Sequence, residues 1–222
     1  MVAPRLFITI TGMSGAGKGA VIKLLCSYDP TLKFLITATT RPPRAHEVHG
    51  QHYYFMTKAE FAQRQQAGDF LETNTLFYGN AGPQDLAQKG NFYGTLRQVV
   101  LDNFAAGYDV VGDLEINGVR QVRQKMPDQL ISLALLPPSR EEFERRLTYR
   151  AQHSGENPED VKLRMASALA DLEHLHDPQY IFTNKDMAGA CQQDFDAVFF
   201  NDDLAETANT IARFIQQRRQ RS

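Results

Sequence analysis

The sequence predicts an α/β fold with a parallel sheet in a three-layer α/β/α arrangement, and three observations carry this prediction. A short run rich in β-branched residues, Arg5 to Thr11, leads through a glycine-rich turn into a helical pattern from Gly19 to Tyr28. Apolar runs that suit buried parallel strands recur later in the chain, and helical patterns alternate with them. A strand, a glycine turn and a helix in this order typically open an α/β domain.

The remaining elements follow from apolar runs and from capping residues. Thr57 is expected to cap a helix from Lys58 to Ala67, and Ser139 forms a capping box with Glu142. The last helix should run from about Leu204 to Arg218. Further strands are predicted where apolar residues follow one another, at Leu32–Thr39, Asp109–Leu114, Leu130–Leu136 and Ala197–Asn201.

The composition is that of an ordinary globular protein. Of its 222 residues 42% are hydrophobic, and its formal net charge of −2 does not suggest a nucleic-acid partner. No apolar run approaches the roughly 20 residues of a membrane span, so no membrane partner is expected. The first ten residues lack the pattern of a signal peptide. Cys26 and Cys191 are the only cysteines, which favours a reducing compartment, and a cytoplasmic protein is expected.

Two stretches interrupt the alternation of strands and helices. Residues 41–95 are rich in Arg, His, Tyr, Gly and Asn and indicate a small α+β lobe, while residues 150–157 are polar and lie between two helical patterns. We therefore expect a core made of residues 1–36 and 96–222, a lobe made of residues 37–95, and a short helical lid at about residues 140–165.

The glycine-rich turn carries the pattern G-x-x-x-x-G-K between the first strand and the first helix. Glycines let successive N–H groups turn inward around a polyphosphate, and the helix N-terminus adds its positive end. Lys18 would reach the β and γ phosphates and stay with the charge as the γ group departs. The candidate phosphate-binding residues are Gly12, Met13, Ser14, Gly15, Ala16, Gly17, Lys18, Gly19 and Ala20.

One position after the lysine departs from the usual pattern. A Ser or Thr commonly stands there as a ligand of Mg²⁺, whereas this chain has Gly19 followed by Ala20. A Mg²⁺ that accompanies the phosphates would then be held mainly by phosphate oxygens and water. Such a loss can lower activity.

A second motif, in residues 37–55, offers a site for an anion. Arg41 and Arg44 present planar, permanently charged forks that suit a phosphate dianion, and the two prolines between them stiffen their spacing. Tyr53, and Tyr93 later in the chain, can each donate a hydroxyl to the same phosphate.

The ordered run T-A-T-T-R-P-P-R-A-H-E-V-H-G-Q-H-Y-Y-F, residues 37–55, resembles the signature of the guanylate kinase family. The resemblance extends from about Phe7 to Ile215. It implies a P-loop kinase core, a GMP-binding lobe and a lid that closes. It further implies an ATP:GMP phosphotransferase of purine nucleotide metabolism, with ATP and GMP as substrates and Mg²⁺ as cofactor.

Matched one position at a time, the resemblance also implies a guanine pocket. Two of its members, Glu72 and Asp113, are carboxylates, which accept hydrogen bonds from the guanine N1–H and amino group when ionised. Adenine has no N1–H and would leave an acceptor unpaired, so the pocket favours guanine. The GMP-binding residues that the resemblance implies are Thr37, Arg41, Arg44, Tyr53, Glu72, Tyr93, Thr95 and Asp113.

Residues after the proline pair at 137–138 resemble the family's lid. Arginines that arrive on closure can stabilise the transition state and exclude water. The expected catalytic residues are Lys18, Arg41, Arg146, Arg150 and Arg164, whereas Arg145 is expected to make an ordinary surface ion pair.

Two residues have weaker parallels in the family. Asn201, in the run F-N-D-D, is a candidate contact for the adenine of ATP, and Glu115 is a candidate outer-shell partner of Mg²⁺.

Two alternatives to a guanylate kinase stay open at this point. A kinase of the same fold acting on another phosphorylated acceptor would also need Lys18 and an anion pocket, but it would not need both Glu72 and Asp113. A catalytically silent, guanylate-kinase-like binding module would fit the missing hydroxyls at Gly19 and Ala20 and the insertions near residues 80–90 and 184–195. The retained Lys18 and Arg41 argue against the silent module.

Overall fold

The structure, a computed structural model, describes residues 4–13, 15–76, 90–153 and 194–220, with the backbone alone for residues 76, 140 and 150–153. The strands are β1 (Phe7–Thr11), β2 (Leu32–Phe34), β3 (Ala38–Thr39), β4 (Tyr54–Phe55), β5 (Phe70–Leu76), β6 (Asn91–Leu96), β7 (Asp109–Asp113), β8 (Leu130–Leu136) and β9 (Ala197–Phe200). The helices are α1 (Lys18–Tyr28), α2 (Lys58–Gln66), α3 (Arg97–Ala105), α4 (Ile116–Lys125), α5 (Arg140–His153) and α6 (Leu204–Arg219).

The chain divides into two compact units that share strand β1. The first unit comprises Met1–Thr9 and Pro30–Leu130, and the second comprises Ile10–Asp29 and Ile131–Ser222. The predicted boundaries of core, lobe and lid stay predictions.

The first unit contains one edge of a parallel sheet, in the order β2-β7-β1. Strand β2 pairs parallel with β7, with Leu32 opposite Asp109. Asp109 is buried, and its Oδ1 accepts the N–H of Leu6 at 3.0 Å. Apolar side chains from this sheet, from β5, from α3 and from α4 form one core cluster that includes Phe7, Leu71 and Val119.

A smaller sheet in the first unit has the order β4-β3-β6-β5. Strands β3 and β4 are parallel, while β6 is antiparallel to both of its neighbours. Helix α2 covers this sheet through Phe61, whose ring stacks on Phe70 at 4.4 Å between centroids. The predicted cap of α2 is confirmed, since Thr57 and Glu60 form a complete capping box.

The second unit contains strands in the order β1-β8-β9. Every residue of β8 is buried, and β8 pairs parallel with β9. Helices α1 and α6 pack on one another, and Arg219 of α6 pairs with Asp29 at the end of α1 at 2.5 Å. The predicted α/β class with a parallel sheet is therefore confirmed.

The prediction of one strand from Leu32 to Thr39 is wrong. The segment forms two strands, β2 and β3, which belong to different sheets. The N–H of Leu35 still donates to Val111 in the first sheet, whereas the carbonyl of Thr37 accepts from Tyr54 in the second. The sequence pattern does not reveal the change, because Leu35 before it and Ala38 after it are both buried apolar residues.

None of the helices among the described residues combines the length and the apolar character that a bilayer crossing requires.

Candidate active site

The glycine loop joins β1 to α1 and adopts a conformation that only glycine tolerates well. Gly15 and Gly17 have φ angles of 91° and 92°, in the left-handed region. At Gly12 a Cβ atom would come within 2.1 Å of the carbonyl oxygen of Leu135, so this position packs directly on the backbone of β8. The glycine spacing therefore has a steric reason in this chain.

Lys18 is the first residue of α1, and its side chain folds back over the loop. Its Nζ donates to the carbonyl of Gly12 at 2.5 Å and to that of Met13 at 3.3 Å. Carbonyl oxygens can hold the ammonium group in this position until a stronger anionic partner replaces them.

A buried asparagine supports the loop from the end of β9. Asn201 is 4% exposed, and its Nδ2 donates to the carbonyl of Ala16 at 2.7 Å. A Cβ at Gly17 would lie 2.3 Å from the same Nδ2 atom, so the amide presses against the loop. The side chain proposed to contact adenine is thus engaged with the loop backbone, and the adenine contact stays a prediction.

Arg146 links helix α5 to the same place. Its Nη2 donates to the carbonyl of Asn201 at 2.9 Å, and its Nε donates to Glu142 at 2.6 Å. Hydrogen bonds from Arg145 and then Arg146 lower the pKa of Glu142 to about 2. Arg145 is largely exposed and pairs with Glu142 on the helix surface, as predicted. Arg150 lies in α5, but its side chain is not described, and Ser14 and Arg164 lie outside the described residues.

In the first unit Arg41, Arg44 and Glu47 follow β3 and form a group that we call the arginine pocket. Arg41 donates through Nη2 to Glu47 at 2.8 Å and through Nη1 to the carbonyl of Pro42 at 2.8 Å. The N–H of Arg44 donates to the other oxygen of Glu47 at 2.7 Å, while the Arg44 side chain is exposed. The hydrogen bond from Arg41 is the main reason that the pKa of Glu47 is lowered to about 2.

Glu47 is a site residue that the sequence reasoning missed. The Glu47 carboxylate accepts one hydrogen bond from the side chain of Arg41 and another from the backbone N–H of Arg44. Glu47 therefore sets the spacing of the two arginines. The signal was present, because Glu47 stands at the fixed acidic position of the motif in residues 37–55.

Aromatic rings line the arginine pocket. The Arg41 guanidinium lies 5.5 Å from the centroid of the Tyr53 ring, which meets Tyr93 edge-on at 6.1 Å. Burial raises the pKa of Tyr53, so its hydroxyl stays a proton donor. Both tyrosines therefore lie near Arg41.

Glu72, on β5, is a buried carboxyl group. It is 4% exposed, and its Oε1 accepts the hydroxyl of the fully buried Thr95 at 2.8 Å, across from β6. Burial raises the pKa of Glu72 to about 7, against the opposing effect of Thr95 and Lys125. Two of the residues predicted to bind GMP, Glu72 and Thr95, thus lie together.

The raised pKa of Glu72 predicts a stability that falls with pH. The folded chain keeps the proton up to about pH 7, whereas the unfolded carboxyl loses it near 4.5, so stability is lost as the pH rises between these values. Relative to Glu72→Gln, the wild type should lose up to about 3 kcal/mol of unfolding free energy from pH 5 to pH 8. Urea unfolding at four pH values measures this, and parallel pH profiles of the two proteins would contradict it.

The other predicted residues of this unit lie at strand ends. Thr37 is half-buried between β2 and β3. Asp113 is exposed at the end of β7, and its negative charge adds to the burial that raises the pKa of Tyr53. Glu115 is exposed and precedes the first residue of α4. Among the described residues no three His, Cys, Asp or Glu side chains are grouped so as to hold a metal ion.

The glycine loop and its lysine lie between a buried strand and a helix, in an α/β fold with a parallel sheet. This arrangement defines the class of P-loop nucleotide phosphotransferases. Residues 4–194 match the family model described as guanylate kinase. The guanylate kinase of Gluconobacter oxydans is 37% identical over 186 residues, which are 84% of this chain and 82% of that protein. The guanylate kinase of Symbiobacterium thermophilum is 37% identical over 206 residues, 93% and 88% of the two chains.

The chain therefore belongs to the guanylate kinase family. Members of this family are ATP:GMP phosphotransferases, so the chain is of the ATP-dependent transferase class. A solved guanylate kinase from Anaplasma phagocytophilum matches the fold with a TM-score of 0.63 at 22% identity, over 98% of this chain and 87% of that one. The family resemblance found in the motifs is confirmed.

Proposed function

We propose that this chain transfers the γ-phosphoryl group of ATP to GMP and releases ADP and GDP. The observation that carries the proposal is the buried Glu72–Thr95 pair on the sheet that leads into the arginine pocket. Thr95 and Tyr93 lie on β6, which pairs with β3. Arg41 follows β3, and its N–H donates to the hydroxyl of Thr39. One small sheet thus supplies groups suited to a guanine base and groups suited to a monophosphate.

In this proposal Arg41, Arg44, Tyr53 and Tyr93 hold the GMP phosphate, and Thr37, Glu72, Thr95 and Asp113 face the base. A phosphate oxygen of GMP attacks the γ-phosphorus, the bond to the β–γ bridging oxygen breaks, and ADP leaves with that electron pair. No strong base is required, because positioning and charge neutralisation carry this chemistry.

Residues of the second unit are proposed to hold ATP. The loop N–H groups and Lys18 take the phosphates, with Lys18 exchanging its carbonyl partners for phosphate oxygens. Arg146, Arg150 and Arg164 would add positive charge around the transferring group, and Asn201 would meet the adenine.

Mg²⁺ is proposed to arrive with ATP rather than to occupy a site prepared by this chain. The residues present fit this proposal, since the first turn of α1 begins with Lys18, Gly19 and Ala20 and contains no hydroxyl side chain. Mg²⁺ commonly retains phosphate and water ligands, and Glu115 is the proposed outer-shell carboxylate. Bound Mg²⁺ neutralises phosphate charge.

The substrates proposed for the chain are ATP and GMP, and the proposed location is the cytoplasm. A sequence with only Cys26 and Cys191 suits a reducing compartment.

The test is an assay of ADP release with ATP, Mg²⁺ and each of GMP, AMP, CMP and UMP. We expect turnover with GMP alone. Turnover with a different acceptor would replace the proposed substrate, and GMP binding without any turnover would leave a silent binding module.

Restoring a hydroxyl at position 19 is expected to raise activity. A Cβ at Gly19 meets nothing within 4 Å, so serine fits without displacement. Gly19→Ser should raise kcat/KM for ATP at limiting Mg²⁺ by about fivefold, the effect of roughly one additional weak ligand bond. Gly19→Ala is the matched control, because it adds the Cβ and raises helix propensity at least as much as serine does, without the oxygen. Equal gains in both variants would show that the hydroxyl contributes nothing.

A further inference from the structure

Strand β5 is the edge of the small sheet, and helix α4 lies along its outer side. Gln121 of α4 makes a pair of hydrogen bonds with the backbone of Thr73. The N–H of Thr73 donates to Gln121 Oε1 at 3.1 Å, and Gln121 Nε2 donates to the carbonyl of Thr73 at 3.0 Å. The side-chain amide therefore takes the place that a further strand would occupy.

The same helix anchors the backbone on the other side of Glu72. Lys125 Nζ donates to the carbonyl of Phe70 at 3.0 Å. The pairing of β5 with β6 shifts register between Phe70 and Glu72, which is the mark of a bulge. A bulge weakens the ladder locally, so the direction of the Glu72 side chain depends on contacts outside the sheet.

Helix α4 also meets the Glu72 carboxyl group itself. A Cβ at Gly118 would lie 2.9 Å from Glu72 Oε2, so the carboxyl group rests against the first turn of the helix. Thr95 holds the other oxygen. The position of Glu72 is thus set by β6 on one side and by α4 on the other.

We propose that Gln121 is a positioning residue for guanine recognition, which acts by holding the backbone next to Glu72 through its paired bonds to Thr73. The inference rests on the proposed function for the identity of the ligand. Loss of the amide leaves the N–H and carbonyl of Thr73 without these partners, and β5 can then move relative to α4. Because a buried acceptor must meet its donors within a few tenths of an ångström, such movement weakens guanine binding.

Titration calorimetry of Gln121→Leu with GMP and with ATP tests the inference. We expect the Kd for GMP to rise about tenfold, the effect of losing one to two partly buried hydrogen bonds, and the Kd for ATP to stay unchanged. Gln98→Leu is the matched control, since Gln98 is an exposed helical glutamine bonded to Asp102, and it should change neither constant. An unchanged Kd for GMP, or an equal rise for ATP, would overturn the proposal.

A double-mutant cycle with Glu72→Gln separates positioning from a general structural role. If Gln121 acts through Glu72, the Gln121→Leu change should weaken GMP binding less than about threefold in the Glu72→Gln background. A full, additive loss there would contradict the proposal. Gln121→Glu keeps an acceptor for the Thr73 N–H but cannot donate to its carbonyl. It should show a smaller loss, and it replaces Gln121→Leu if circular dichroism shows that variant unfolded.

The wild type is assayed for ADP release beside these titrations. If the wild type binds GMP but shows no turnover, the proposed catalysis is overturned. The GMP titrations of Gln121→Leu would then still decide whether Gln121 positions Glu72 for guanine binding. A wild type that does not bind GMP would overturn both.

Discussion

Replacing Lys18 with alanine is expected to lower kcat by about three orders of magnitude, because a positive charge that follows the transferring phosphoryl group is lost. The loop itself should survive the change. Lys18→Ala removes the two hydrogen bonds from its ammonium group to loop carbonyls. The left-handed Gly15 and Gly17 and the bond from Asn201 to Ala16 stay, because none of them involves the lysine side chain. GMP affinity should be unchanged, since none of the residues proposed to bind GMP belongs to the loop.

Single-turnover measurements of ADP formation, with GMP titration beside them, check this expectation. Lys23→Ala is the control, because Lys23 is an exposed lysine of the same helix and its loss should leave kcat unchanged. A fall of less than about tenfold in Lys18→Ala would remove Lys18 from the proposed mechanism.

Arg41→Ala is expected to have the second largest effect, a rise of about a hundredfold in KM for GMP. A bidentate contact between a guanidinium and a phosphate is lost, and the remaining carboxylate of Glu47 then repels the dianion. The hydrogen bond from Arg41 is the main cause that lowers the pKa of Glu47 to about 2. Without Arg41 the pKa of a solvent-exposed glutamate still lies well below neutral pH, so Glu47 stays ionised.

The KM for ATP should change little in Arg41→Ala, and initial rates at varied GMP and at varied ATP separate the two effects. Arg64→Ala is the matched control, since Arg64 is a half-exposed arginine that pairs with Asp69 at 3.7 Å. Arg41→Lys should recover part of the loss, because it keeps the charge but not the planar fork. An unchanged KM for GMP in Arg41→Ala would exclude the arginine pocket as the phosphate site.

The parts of the molecule that sequence predicted well are those in which the chemistry is local. The capping box of Thr57 depends on a neighbour three residues away, and it is found. The left-handed φ angles of Gly15 and Gly17 are a local property of the loop backbone, and they are found as well. The raised pKa of Glu72 depends on burial produced by α4 and β6, which approach it from positions far along the chain. Such burial cannot be read from the run G-D-F-L-E in which Glu72 stands.

Local patterns also fail where the chain changes partners. From Leu32 to Thr39 the apolar residues continue, although the backbone leaves one sheet and joins another. Asn201 illustrates the same limit. Its place in the F-N-D-D run made it a candidate for nucleotide contact, but only the fold shows that its amide supports Ala16, which lies 185 residues earlier.

That separation has a consequence for the order of assembly during synthesis. The glycine loop leaves the ribosome well before the asparagine that supports it, which lies 185 residues after Ala16. Chains grow from the N-terminus at about 5–20 residues per second, so the loop waits roughly 10–40 seconds for its support. A nascent chain that has not reached residue 201 carries the phosphate-binding pattern without the bond that steadies it. The loop therefore gains this support only after strand β9 has been synthesised.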